Sequence, residues 1–219
     1  NMHENLSSKK HVPIIGEVMT SRWAYESLMV TQFKDNSFEK YFFADEAKRY
    51  NAMYHQSYLI PELFEISHKI KQNDDCFSNT DCQHDLNLIE NELNKIKKQT
   101  GIPHNVSVKL QKPDTVVTYA QQYLTLADHY FNQQYRLANK QKDLTYLNLI
   151  TKMGGAENVL RFKETYYNKQ VASIVNNNKE IQEMERIGNE FIPLRNLGYR
   201  SPDSNYGRAH YFAPYKIIN

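Results

Sequence analysis

Apolar positions along the chain fall mostly into helical spacing. Leu63, Ile66 and Ile70 step by three and four, and Leu86, Ile89, Leu93 and Ile96 step by three, four and three, so each set lies on one helix face. The second set predicts an amphipathic helix over 82–100, ending near Gly101-Ile102-Pro103. A longer helix opens at Asp114, a good N-cap, and carries two stripes: Val116, Ala120, Tyr123, Ala127 and Tyr130, then Val117, Leu124, Phe131 and Ala138. It runs to Met153, where Gly154-Gly155 stops it; a break near Asn139–Asp143 is the alternative. Residues 156–176 predict another helix, and Asn178 caps a short one through Ile187, closed by Gly188. Alternating β-branched runs are nearly absent apart from "NVSVKL" at 105–110.

Toward the start of the chain, "MTSRWAYESLMVTQF" breaks the amphipathic pattern. A helix candidate spans 16–35, and on a helical wheel its apolar residues spread nearly all round. Such a helix belongs inside protein or lipid. Arg22 and Glu26, at i and i+4, can neutralise each other. Asn36 then caps the next segment, with Glu39 in the capping-box position. Residues 38–72 hold one or two helices, with Pro61 at a first turn or a kink. Beyond about 190, prolines, glycines and aromatics alternate without a period, which predicts a loop packed through its tyrosines. The expected fold is all-α: an antiparallel helical bundle with coiled-coil-like long helices and irregular aromatic-rich termini. The expected division is a membrane-proximal segment 1–36, a helical bundle 37–189 and an irregular segment 190–219.

The 219 residues are 40% apolar and 24% charged, ordinary for a folded chain, and can bury a real core. A net charge of +2 directs it to no nucleic acid. Arg200 and Arg208 among Tyr199, Tyr206, Tyr211 and Phe212 mimic a stacking platform, but two arginines are a thin footprint. No run reaches the roughly 18 apolar residues needed to cross a bilayer, and the first ten residues lack a signal-peptide core. Met2 behind Asn1 suggests a trimmed chain, which would make that absence uninformative.

Candidate chemistry is sparse. Scattered glycines give no phosphate cradle, and no nucleophile motif occurs, so no catalytic residue and no cofactor are assigned. Glu65 and His68 have the i, i+3 spacing of a carboxylate-bridged metal site, but a second such pair is missing, and a solvated helix face is the simpler account. Cys76 and Cys82 flank the turn-forming "FSNTD"; a small disulfide loop, which would suit an oxidising compartment, and two free thiols both fit.

The stretch "VPIIGEVMTSRWAYESLMVTQFKDN" resembles the segment before the last extracytoplasmic loop of ABC transporter permeases of the type that includes the eukaryotic G subfamily. The matching residues are Ser21 to Glu26 with Gln32-Phe33. "GRAHYFAPYK", 207–216, resembles the lead-in to the final span in fused ATPase–permease proteins of Bacteroidetes-type bacteria. The likeness is best over about 50 residues at the two ends; the middle matches only in helical character. It implies a periplasmic domain of an inner-membrane exporter, without catalysis of its own, with the ATP-binding motifs elsewhere in the parent. Its implied partners are the parent's membrane spans, a second permease unit in a dimer and a periplasmic protein. The flanking aromatics and charges, Arg22, Trp23, Tyr25, Glu26, Phe33, Arg208, Tyr211, Phe212 and Tyr215, are then the membrane-proximal residues. The alternative is a stand-alone helical protein-binding or adaptor module that uses the tyrosine-rich flank.

Overall fold

A computed structural model of the chain describes residues 19–72, 76, 80–108 and 112–200. They are predominantly helical: α1 (Thr20–Phe33), α2 (Phe43–Tyr54), α3 (Ile60–Lys71), α4 (Thr80–Thr100), α5 (Pro113–Met153), α6 (Ala156–Tyr166) and α7 (Lys169–Val175). One antiparallel hairpin follows, β1 (Met184–Ile187) with β2 (Glu190–Pro193). The described residues fall into two compact units, neither continuous in sequence. Of the described residues, the first draws on 19–50, 138–181 and 195–200, the second on those within 51–137 and 182–194. The expected boundaries at 36 and 189 therefore do not coincide with the packing units: α1 belongs with α6 and α7, and the hairpin belongs with α4.

The second unit is built on the periodic stripes. Leu63, Ile66 and Ile70 of α3, Leu86, Ile89, Leu93 and Ile96 of α4, and Val116, Ala120, Leu124, Ala127 and Phe131 of α5 are all buried in one core. Leu63, Ile89, Leu93, Ile96, Val116, Ala120, Leu124 and Ala127 are fully enclosed. Between α2 and α3 the backbone widens into a π-turn at His55–Leu59 just before Pro61. Proline has no N–H to donate and its ring presses on the carbonyl four residues back, and a locally wider turn relieves both. His55 lies in this turn with Nδ1 2.7 Å from the Asn51 carbonyl and its ring stacked on Phe131 at 4.1 Å. Cys76 and Cys82 are joined as a disulfide with Cα atoms 5.3 Å apart, and both are buried in this core.

The hairpin corrects the short helix expected over 178–187. "MERIGNEFIP" places Gly188-Asn189 between two four-residue strands, with Ile187 paired to Glu190. Gly188 supplies the positive φ, +62°, that a two-residue turn requires. A buried carboxylate fixes the hairpin to α4. Glu92, 2% exposed, accepts the Phe191 amide at 2.7 Å and Lys95 Nζ at 2.8 Å, while Lys95 also reaches Glu190 at 3.1 Å. Burial raises the Glu92 pKa, and the Lys95 ammonium opposes that rise. Asp85 receives Arg186 at 2.5 Å, and Asn91 donates to the Asn189 carbonyl at 3.1 Å.

In the first unit α1 is shorter than the expected 16–35, and α5 continues without a break through 139–143. The helix expected over 156–176 divides at 167–168. There Asn168 caps α7 by accepting the amides of Gln170 and Val171. Residues 105–108 of "NVSVKL" form no strand, and 109–111 lie outside the described residues. Met29 and Phe33 pack with Val171, Ala172, Val175 and Tyr199. A second cluster joins Phe38 and Phe42 to Leu149 and Val159. The chain passes through the first of these at Gly198, where a Cβ would stand 2.5 Å from the Phe33 ring and 2.6 Å from Val175. Gly198→Ala is expected to cost about 1–3 kcal/mol, as overpacked cores do. Equilibrium urea unfolding checks it; an unchanged midpoint would show that the contact is not close.

Candidate functional site

Among the described residues of the first unit, Glu39 is the buried carboxylate around which a polar interior is built. Asn36 fixes the backbone there: its side-chain oxygen accepts the amides of Phe38 and Glu39 at 3.1 and 2.8 Å, and its nitrogen donates to the carbonyls of Gln32 and Phe33. Asn36 therefore holds the turn that leads into the short 3-10 helix Glu39–Tyr41, whose N-cap is Phe38, in place of the expected helix capped by Asn36. The Glu39 carboxylate has a different partner from the one a capping box would give it: it accepts the Tyr199 hydroxyl at 2.9 Å. Both residues are buried. Desolvation raises the Glu39 pKa above the ordinary carboxylate value, while the Tyr199 hydrogen bond pulls against it. Burial, followed by the adjoining Glu39 charge, pushes the Tyr199 hydroxyl far above the ordinary phenol value.

Aromatic rings enclose this pair. Tyr199 stacks on Tyr50 at 4.7 Å and meets Phe33 edge-on at 5.1 Å and Phe43 at 5.6 Å. On the other side a cavity of about 440 Å³ opens. Its walls include Phe38, Phe42, Tyr50, Tyr146, Tyr167 and Tyr199, and its polar groups include Glu39, Glu46, Lys142 and Lys163. Glu46 is engaged twice, by Lys142 at 2.6 Å and by Arg49 at 2.7 Å. Lys163 has its ammonium 5.6 Å from the centre of the Phe38 ring and 5.5 Å from that of Tyr167. Burial moves the Tyr167 hydroxyl up to about 12. The arrangement can hold charge out of water. Among the described residues no three metal-ligating side chains converge.

The flanking residues singled out by sequence separate in the structure. Phe33, placed at the membrane by its motif, is 3% exposed and committed to the aromatic cluster, because α1 turns that edge inward onto α7. Tyr25 is 44% exposed on the same helix, and Leu28, three residues on, is 55% exposed. The side chains of Arg22, Trp23 and Glu26 lie outside the described residues, as do Arg208, Tyr211, Phe212 and Tyr215. Glu65 pairs with Lys69 at 2.7 Å on an exposed face of α3. No helix among the described residues is long and apolar enough to cross a membrane. The sequence gives no direct signal for Glu39 as a site residue. Its capping position explains it locally, and its real partner lies 160 residues away.

No family model, curated protein or solved structure matches the chain.

A raised folded-state carboxylate pKa means that the folded protein holds its proton longer than the unfolded chain. The stability linked to Glu39 is thus fully present below the unfolded value and is lost as pH rises through the folded one. The stability of the wild type relative to Glu39→Gln is expected to fall as pH rises from about 4, the ordinary carboxylate value, through the raised folded-state value. Denaturant unfolding across that range measures it; a relative stability that climbs with pH would mean that the ionised carboxylate is the favoured form.

Proposed function

We propose that this chain is the extracytoplasmic domain of an ABC-type exporter, inserted between the last two membrane spans of its permease and non-enzymatic on its own. The resemblance at the two ends motivates the reading. The observation that carries it is the meeting of α1 with the segment 197–199: both pack on α7, and Phe33 and Tyr199 touch ring to ring at 5.1 Å. A domain inserted into a loop needs its entry and exit side by side. The exposed apolar residues Tyr25 and Leu28 of α1, with Met19 just before it, suit a surface next to headgroups or spans. The Cys76–Cys82 disulfide suits the periplasm. In this reading the helices form an antiparallel bundle with coiled-coil character, a reading supported by the three- and four-residue stripes of α3, α4 and α5. The domain contributes to gating or to engaging a periplasmic protein, and the parent acts as a dimer of permease units in the inner membrane.

The test is made on the native gene product with an antiserum raised against this chain. The expected antigen is a membrane-fraction polypeptide far larger than the 25.9 kDa of these residues, cleaved by protease added outside spheroplasts. A soluble polypeptide of about this mass, shielded from external protease, would overturn the reading in favour of the stand-alone module.

A further inference from the structure

The cavity of the first unit has the recognition chemistry for positive charge. Glu39 provides a buried carboxylate whose hydrogen bond comes from the Tyr199 hydroxyl. Lys142 is already engaged by Glu46 at 2.6 Å. Lys163, the other lysine on the cavity wall, makes no ion pair among the described residues, and its side chain is exposed on α6. Its ammonium instead rests against the faces of Phe38 and Tyr167. Two aromatic faces near a desolvated carboxylate attract a cation through the ring quadrupoles and by direct charge. Lys163 is tethered by a flexible four-carbon stem and is hydrated at its tip, so it fills this place weakly. A cation with an apolar body of its own gains the remaining wall, formed by Phe42, Tyr50 and Val159.

We propose that this cavity is a binding site for a small organic ammonium compound. Its cationic end displaces the Lys163 ammonium from the edge-to-face pair of Phe38 and Tyr167 and faces Glu39, and its apolar body lies against Phe42, Tyr50 and Val159. Lys163 is an internal competitor that holds the cavity in its unliganded form. The assignment rests on the cavity alone and stands whether or not the chain belongs to a transporter.

Calorimetric titration of the whole chain with 2-phenylethylamine, and with its neutral counterpart 2-phenylethanol, tests it near neutral pH. The amine is expected to bind at least tenfold more tightly than the alcohol. Lys163→Ala should tighten amine binding several-fold, because the competitor is gone, and Glu39→Gln should weaken it at least tenfold. Equal binding of amine and alcohol, no saturable binding of the amine at millimolar concentration, or weaker binding by Lys163→Ala would each overturn the proposal. If Glu39→Gln lowers the melting temperature enough to confuse its titration, the amine-to-alcohol ratio and the exposed Lys163→Ala substitution still decide the matter on folded protein.

Discussion

A hydrogen bond from the Tyr199 hydroxyl to the Glu39 carboxylate organises the first unit. A carboxylate taken out of water loses its hydration, and a donor that fails to arrive leaves that loss uncompensated. Tyr199 can supply its hydroxyl only if the backbone before it runs deep between Phe33 and Val175, which is why residue 198 has no side chain to spare. Asn176 secures the approach, accepting the Gly198 amide at 3.2 Å with its side chain and the Asn196 amide at 2.9 Å with its carbonyl. Once Tyr199 is seated, its ring closes the aromatic cluster formed by Phe33, Phe43 and Tyr50. α1 and the segment 197–199 are joined by this one arrangement, and the cavity takes one wall from it.

The second unit obeys the same constraint in a simpler form. Glu92 is a buried carboxylate on a helix face that is otherwise Leu and Ile, and it is tolerated because Lys95 and the Phe191 amide converge on it. The hairpin thereby gains a fixed register on α4 that its short strands would not secure alone, since an isolated two-stranded hairpin is marginal in water.

The parts of this architecture that could be read from sequence were those governed by local periodicity. The stripes of α3, α4 and α5 are buried, with Tyr130 only half-buried at the edge, because a 3.6-residue repeat leaves little choice of face. Asn36 and the Gly154-Gly155 stop behaved as local chemistry dictates. The hairpin was missed because Gly188 ends a helix as readily as it turns a strand pair, and only Glu92, about a hundred residues away, decides between them. α1 was hard to read for a related reason: its apolar residues lie on several faces, and the one that is buried is set by Gly198 and α7. Glu39 was legible as a capping residue but not as a site, since its partner lies far off in the chain. A pairing of that kind leaves no trace in spacing or composition.

The joining of α1 to the segment 197–199, and with it the case for an inserted domain, depends on Glu39 and Tyr199 being energetically coupled. A double-mutant cycle with Glu39→Gln, Tyr199→Phe and the double variant, followed by urea unfolding, measures that coupling directly. The account predicts an interaction energy of about 0.5–1.5 kcal/mol, as for a buried intramolecular hydrogen bond. Changes that add to within about 0.3 kcal/mol, the behaviour of independent sites, would contradict it.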